Sequence, residues 1–175
     1  MYEPKNITKE ELKKEGMTLK RVIEEKKLIK TKLKLFHILQ LDEDIISLNN
    51  EGLTLSKLDL EDVYLLEGMH LIVPAADKII PLKEDNLKLQ TYLIYLSYLY
   101  NIDLFAIYKI DSEYLWEILS HLQISENIKR NIYSLLFMNR GEYFSTYIED
   151  LNRSEYREEL KKDIQILQRS VKNSF

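Results

Sequence analysis

The sequence predicts a mainly helical α+β protein, in which a small mixed module precedes a helical bundle. Apolar residues recur at helical spacing through most of the 175-residue chain, whereas strand-like patterns occur only before residue 74. Only 4 Gly and 3 Pro are present, too few for a turn-dense sandwich, propeller or barrel. We place the mixed module at residues 1–76, a linker at 77–83 and the helical domain at 84–175.

The mixed module is predicted to contain two helices followed by strands. Apolar positions in residues 19–23 have helical spacing, and a second helix is expected to end near Leu48. Residues 53–66 alternate between apolar and polar side chains, and residues 69–73, Met-His-Leu-Ile-Val, are mainly apolar and stop at Pro74. Both patterns are typical of strands.

The second half is predicted to hold four to five helices. The first, around residues 89–100, is apolar on both faces, which indicates a central position in the bundle. Asp111 and Ser125 precede helical patterns as N-caps, and residues 139–141 are expected to break the chain before a helix from Glu142 to about Leu151. A last helix is predicted from Ser154.

The residue types exclude several kinds of chemistry. Cysteine is absent, which excludes disulfides, thiolate zinc sites, iron–sulfur clusters and a cysteine nucleophile. His37, His70 and His121 are scattered, and the acidic clusters lack the spacing of a calcium loop or of an acid–base pair with histidine. No glycine-rich phosphate loop, nucleophile elbow or HExxH pattern occurs. We therefore expect no enzyme activity, no metal and no cofactor.

Charge is unevenly distributed along the chain. Residues 1–34 carry 11 Lys or Arg against 6 Asp or Glu, whereas residues 35–175 carry 14 against 23. The basic residues 18–34 allow two interpretations, a solvated helix face or a DNA-contacting segment. The acidic remainder would repel a polyanion, so nucleic acid is a disfavoured partner.

No targeting or membrane segment is predicted. The first residues lack the apolar core of a signal peptide, and the longest uninterrupted apolar run, residues 91–100, is about half the ~20 residues that span a bilayer. We expect a cytoplasmic protein without a membrane partner. Incorporation into a virion or another particle is compatible with this expectation.

Tyrosine is the compositional outlier, with 12 residues in the chain. Its ring and hydroxyl suit both helix seams and protein interfaces. Tyr92 and Tyr100 share a face with leucines and are assigned to the core. Tyr95 and Tyr98 share the other face, where they must meet another helix or a partner. We predict that they form part of an interface together with Tyr114.

Residues 16–74 resemble a LysM module. The resemblance rests on a Gly16-Met17-Thr18-Leu19 turn into a helix, a Leu48-Asn49-Asn50 turn after a second helix, and a closing Gly68–Pro74 strand. It implies a βααβ fold with two helices on a two-stranded sheet, and turn residues Gly16, Thr18, Asn49, Asn50 and Gly68. The family's usual ligands are N-acetylglucosamine polymers. Glycan binding is disfavoured here because no Trp or Tyr lies near either turn.

The resulting functional hypothesis is a non-enzymatic docking or structural protein. It would bind protein partners, or further copies of itself, in a larger assembly such as a phage tail or baseplate. Two alternatives stay open. One is a small DNA-binding regulator that uses residues 18–34, and the other is an acidic helical inhibitor or immunity-type protein.

Overall fold

The computed structural model describes residues 10, 16–66, 70–74, 78–83, 87–122 and 124–147. These residues form the helices α1 (Leu19–Glu24), α2 (Thr31–Asn50), α3 (Lys88–Tyr100), α4 (Leu104–Ile110), α5 (Ser112–His121) and α6 (Glu126–Phe137). They also form the strands β1 (Gly16–Thr18), β2 (Leu53–Leu55), β3 (Tyr64–Leu66), β4 (His70–Ile72) and β5 (Ile79–Pro81), and a 3-10 helix (Phe144–Tyr147). The predicted class, mainly helical α+β, is confirmed.

The strands form two small antiparallel sheets. The first has the order β1-β3-β4, and Leu65 in its central strand lies opposite Met17 on one side and Leu71 on the other. The second pairs β2 with β5, with Thr54 opposite Ile80. The sequence assigned residues 77–83 to a linker, but residues 79–81 form β5. This strand is held by pairing with distant β2, so local composition gives no signal of it.

Short polar side chains set the helix starts. The Thr18 hydroxyl accepts a hydrogen bond from the Arg21 backbone N–H at 3.3 Å and begins α1. Asp103, Asp111 and Ser125 likewise accept a first-turn N–H of α4, α5 and α6. The caps predicted at Asp111 and Ser125 are therefore confirmed.

The C-terminal ends of α3 and α6 are set by residues with left-handed backbone. Asn101 and Asn139 have φ of 54° and 52°, values that asparagine tolerates better than most residues. The break predicted at residues 139–141 thus occurs where α6 ends.

The predicted helix from Ser154 and the turn residue Gly68 lie outside the described residues.

Helix α3 occupies the centre of the fold, as its two apolar faces predict. Every residue from Thr91 to Leu99 is buried, and the surrounding core cluster contains apolar side chains from Leu19 to Phe144.

The boundary proposed between a mixed module and a helical domain stays a prediction. In the described residues, the apolar core extends across it.

A polar seam joins α2 to α3 inside this core. The Tyr95 hydroxyl donates a hydrogen bond to the Asp42 carboxylate at 3.0 Å. One turn away, the Tyr98 hydroxyl lies 2.9 Å from His37 Nδ1. The Lys34 ammonium donates to the backbone carbonyl of Tyr98 at 3.0 Å. Buried polar groups require such partners, so these bonds specify how the two helices face each other.

Residues 141–147, which we call the strap, follow α6 and close over the seam. Phe144 is fully buried, and its ring packs edge-on against Tyr92 and Tyr95 with centroid distances of 5.1 Å to each. Such edge-to-face pairs are favourable beyond the area they bury. The strap therefore contributes the Phe144 ring to the core.

Hydrogen bonds hold the strap on both sides of Phe144. The Asn131 side chain accepts from the Glu142 N–H at 3.1 Å and donates to the Glu142 carbonyl at 3.2 Å. The Asp42 carboxylate accepts from the Ser145 N–H at 3.1 Å. These contacts satisfy backbone groups of a short segment that makes few such bonds of its own.

Candidate functional site

Helices α5 and α6 pack together and leave a groove on their outer side. Its volume is about 490 Å³. It is lined by Trp116 and Ser120 from α5, by Glu126, Lys129, Arg130, Tyr133 and Ser134 from α6, and by Met138 just after the end of α6. Clefts of a few hundred Å³ between helices are common places for binding sites.

Three aromatic rings form a continuous row, in which two rings line the groove and the third extends the row beyond it. Trp116 and Tyr133 pack edge-on with a centroid distance of 5.2 Å, and Tyr133 contacts Phe137 at 4.8 Å. We call Trp116, Tyr133 and Phe137 the aromatic row. Tyr133 is 44% exposed, Phe137 is 42% exposed and the adjacent Met138 is 54% exposed. A contiguous apolar patch of this kind on a folded chain marks an interaction site more often than scattered apolar residues do.

The helical period of α6 places two members of the aromatic row, Tyr133 and Phe137, on the surface. Ile128, Asn131, Ile132 and Leu135 are the buried residues of α6. At about 100° per residue, Tyr133 and Phe137 lie on the opposite side of the helix. The buried face of α6 is therefore formed without Tyr133 and Phe137.

Charged side chains border the row. The Lys129 ammonium donates to the Ser120 backbone carbonyl at 3.0 Å and lies 3.7 Å from the Glu126 carboxylate. Arg130 is exposed one turn before Ser134. The groove thus combines aromatic rings with both signs of charge, a composition suited to protein contacts.

Two of the three tyrosines predicted at an interface are instead in the core. Tyr95 and Tyr98 are both fully buried and bond to α2 through their hydroxyls. Burial raises the pKa of each of these tyrosines above its ordinary value. The sequence required a helix or a partner opposite them, and α2 of the same chain is that helix. In this fold they are not available to a partner.

Tyr114 is 50% exposed, but it does not join the aromatic row. It lies two residues before Trp116 on α5, which turns it about 200° away around the helix. The structure therefore does not bring Tyr95, Tyr98 and Tyr114 together.

Three turn residues of the LysM-like resemblance, Thr18, Asn49 and Asn50, lie at helix ends. Gly16 belongs to β1, and Thr18 caps α1. Asn49 is buried at the end of α2, and its amide donates to the Tyr143 hydroxyl at 2.9 Å, whereas the adjacent Asn50 is exposed. The resemblance itself stays a prediction. The sequence places no Trp or Tyr near either turn, but the fold brings Tyr143 to Asn49 and Tyr64 opposite Thr18, so that argument against glycan binding is wrong.

The basic segment considered for DNA contact is partly engaged in internal contacts. Lys20 pairs with Glu61 at 3.2 Å, and Arg21 pairs with Glu25 at 2.9 Å. Lys34 is buried in the polar seam. These contacts reduce the positive charge that the segment offers to phosphates.

The acidic and histidine residues that the structure describes lie in different surroundings. Asp42 lies in the core, and burial raises the pKa of its carboxyl, although hydrogen bonds from Ser145 and Tyr95 oppose this. His37 is buried, whereas His121 is exposed at the end of α5. Within the described ranges, no group of three or more His, Cys, Asp or Glu is placed to hold a metal ion.

Comparisons with known proteins add no family. No protein-family model matches the chain, and neither curated proteins nor solved structures give a match. Among the helices that the structure describes, none has both the length and the apolar character needed to cross a membrane.

The aromatic row was missed in the sequence, although a signal for it exists. Glu126, Arg130, Tyr133 and Phe137 follow one another at intervals of four, three and four residues. This is the spacing of one helix face. It is distinct from the spacing that Ile128, Ile132 and Leu135 make on the buried face.

Proposed function

We propose that the chain is a non-enzymatic docking protein that binds a protein partner through the aromatic row. The observation that supports this is the continuous packing of half-buried Trp116, which with Tyr133 lines the groove, with the exposed rings of Tyr133 and Phe137. Tryptophan, tyrosine and arginine are enriched among the residues that dominate binding energy at protein interfaces. All three types are present here, with Arg130 beside the row.

The energy available from this surface is consistent with specific binding. Burying the exposed part of a large apolar side chain contributes on the order of 1–2 kcal/mol. Rings already packed on one another lose little further side-chain freedom when a partner covers them. The row is thus a preorganised surface.

The larger context of docking is proposed from the sequence. The LysM-like resemblance of residues 16–74 suggests an assembly such as a phage tail or baseplate. A DNA-binding or inhibitory function would use other surfaces, the basic segment 18–34 or the acidic body.

We expect the double substitution Tyr133→Ser/Phe137→Ser to weaken partner binding at least 100-fold while the fold is retained. Each side chain contacts solvent, so truncation leaves little cavity, whereas loss of interface anchors has large effects. Proteins captured by the wild-type chain from an extract are purified, and their dissociation constants for the wild type and the variant are measured by calorimetry.

The matched control is Phe36→Ser/Ile110→Ser, which removes two other exposed apolar side chains. We expect this control to change the dissociation constant by less than about threefold, because small surface changes outside an interface have little effect. A partner that binds the aromatic-row variant as tightly as the wild type would contradict the proposal.

A further inference from the structure

We propose that residues 154–175 of this chain, which we call the C-terminal segment, dock along the aromatic row as an amphipathic helix. The C-terminal segment follows the strap in the sequence and lies outside the described residues. The inference rests on the proposed function in one respect, that the aromatic row is a docking surface. It goes beyond that function by giving the chain an autoinhibitory contact, which a protein partner must displace.

The sequence of the C-terminal segment predicts a helix with one strongly apolar side. Its apolar residues recur at intervals of three or four, which at 100° per residue confines them to a stripe about 100° wide. The members of this stripe are Tyr156, Leu160, Ile164, Leu167, Val171 and Phe175. A short helix gains most of its stability by burying such a stripe, so the C-terminal segment requires an apolar surface to cover.

The aromatic row is an apolar surface of suitable length. The rings of Tyr133 and Phe137 are exposed, and the exposed side chain of Met138 follows them. Helix α6 has 12 residues and is about 18 Å long, whereas a helical stripe from Tyr156 to Phe175 would extend about 30 Å. The stripe can therefore cover the row from end to end, and removal of apolar surface from water drives such packing.

The described chain ends close to α6. The Tyr147 hydroxyl donates a hydrogen bond to the Glu142 carboxylate at 3.3 Å, and the Glu142 backbone is bonded to Asn131 in the middle of α6. Residues 148–153 can span about 20 Å when extended, whereas a helix with its side chains is about 10 Å across. The connection is long enough to pass from the buried side of α6 to its outer side.

The charges beside the groove complement those beside the stripe. Lys129 and Arg130 line the groove and together outweigh the single negative charge of Glu126. On the C-terminal segment, an acidic edge follows the stripe at intervals of four residues and consists of Glu155, Glu159 and Asp163. Carboxylates and cations placed in this way favour contact between the two faces and select one register over others.

The same charges set the direction of the C-terminal segment. Arg130 lies in the first half of α6, whereas Phe137 is its last residue. The acidic edge occupies the first half of the C-terminal segment, so a parallel packing places it beside the cations and leaves the rest of the stripe beside Phe137. With Glu159 beside Arg130, a step of four residues on each helix brings Ser134 to residue 163 and its neighbour Ile164.

Tethering lets a contact of modest strength keep the row covered. A segment joined by a short connection has an effective concentration of about 1 mM near its site. An intrinsic dissociation constant of about 100 µM would then leave the row covered about ten times as often as uncovered. A partner that needs the uncovered row would bind about 10-fold more weakly than it binds a chain without this contact.

The first test uses Trp116, the single tryptophan of the chain, whose fluorescence reports whether the groove is covered. In the full chain, the stripe variant Ile164→Ser/Leu167→Ser should release the C-terminal segment from the row. We expect quenching of Trp116 by acrylamide to rise about twofold, because the indole ring loses the contacts that exclude water. The matched control is Ile166→Ser, which removes an isoleucine outside the stripe and should leave the quenching unchanged.

Cysteine cross-linking tests the register, since the chain contains no cysteine of its own. Ser134→Cys/Ile164→Cys should form a disulfide with oxidised glutathione, because the proposed register brings the two Cα atoms within about 7 Å. The control pair is Ser47→Cys/Ile164→Cys, which should stay reduced because Ser47 is exposed on α2. Electrophoresis without reductant separates the two results. This measurement does not depend on the stripe variant, so it decides the question even if that variant is less stable.

The outcomes separate this inference from the proposed function. Unchanged Trp116 quenching in the stripe variant, or a Ser134→Cys/Ile164→Cys pair that stays reduced, overturns the C-terminal segment as occupant. Partner binding that the substitutions in the aromatic row abolish would then still support the proposed function. If both proposals hold, that partner should bind the stripe variant about 10-fold more tightly than the wild type, because competition is removed. A covered row without any row-dependent partner overturns the proposed function alone.

Discussion

Replacing Phe144 by Ala is expected to lower the free energy of unfolding by about 3–5 kcal/mol, the range for emptied aromatic core sites. Phe144 is fully buried and packs edge-on against both Tyr92 and Tyr95. Truncation leaves a cavity under the strap and removes two ring contacts. Urea unfolding followed by circular dichroism measures the change.

The control is Phe137→Ala, which removes the same side chain from the surface. Phe137 is 42% exposed, so its truncation should cost no more than about 1 kcal/mol. If Phe144→Ala cost as little as Phe137→Ala, the strap would not belong to the cooperative unit that unfolds. In that case, its hydrogen bonds to Asn131 and Asp42 would open separately from the core.

The helical architecture could be predicted because its signals are local. Helix α3 is apolar on both faces, and the structure buries it completely from Thr91 to Leu99. The caps at Asp111 and Ser125 require only the residue and its own first turn. Such features depend on the nearest few residues, which a sequence displays directly.

The interior position of Tyr95 and Tyr98 could not be predicted in the same way. It depends on Asp42 and His37, which α2 brings opposite them from more than fifty residues away. Read along the chain, Asp42 belongs to an acidic run and is expected in solvent. The burial of Asp42 is explained only by the Tyr95 hydroxyl and the Ser145 backbone N–H that bond to it, because buried charges require such partners.

The strap and β5 show the same dependence on distant partners. Phe144 falls in a segment whose local pattern predicts a helix from residue 142, yet the structure has a 3-10 helix of four residues there. Strand β5 exists because β2 pairs with it. The aromatic row, by contrast, has a local signal, since its α6 members follow helical spacing on the face opposite the core.

Replacing Asp42 by Ala is expected to cost about 2–4 kcal/mol at pH 7. The change leaves the buried Tyr95 hydroxyl and the Ser145 N–H without their acceptor, and each unsatisfied group costs about 1–3 kcal/mol. Asp42→Asn is the matched variant. Its amide oxygen can accept from Ser145 while its NH₂ donates to the Tyr95 oxygen, so only the Tyr95 O–H loses its acceptor and the cost at pH 7 should be about 1–2 kcal/mol, smaller than for Asp42→Ala.

These variants should also differ in how stability depends on pH. Burial raises the pKa of the Asp42 carboxyl, so the folded chain keeps this proton to a higher pH than the unfolded chain does. The stability contributed by Asp42 is therefore complete below the unfolded pKa and is lost as pH rises through the folded pKa. Asp42→Asn has no such proton to lose, so its stability measured relative to the wild type should rise with pH.

Asp44 acts in the same direction and must be separated from Asp42. Burial, with a contribution from the adjacent Glu43, raises the pKa of Asp44 to about 6. In Asp42→Asn, the free energy of unfolding should therefore still fall between pH 4 and 6 by the amount that Asp44 contributes. In Asp42→Asn/Asp44→Asn, most of this fall should be absent. Urea unfolding of the three chains at pH 4, 5, 6 and 7 measures these slopes. An Asp42→Asn chain whose stability falls with pH as steeply as the wild type would show that Asp42 is ionised in the folded protein at acidic pH, with the Tyr95 and Ser145 hydrogen bonds outweighing its burial.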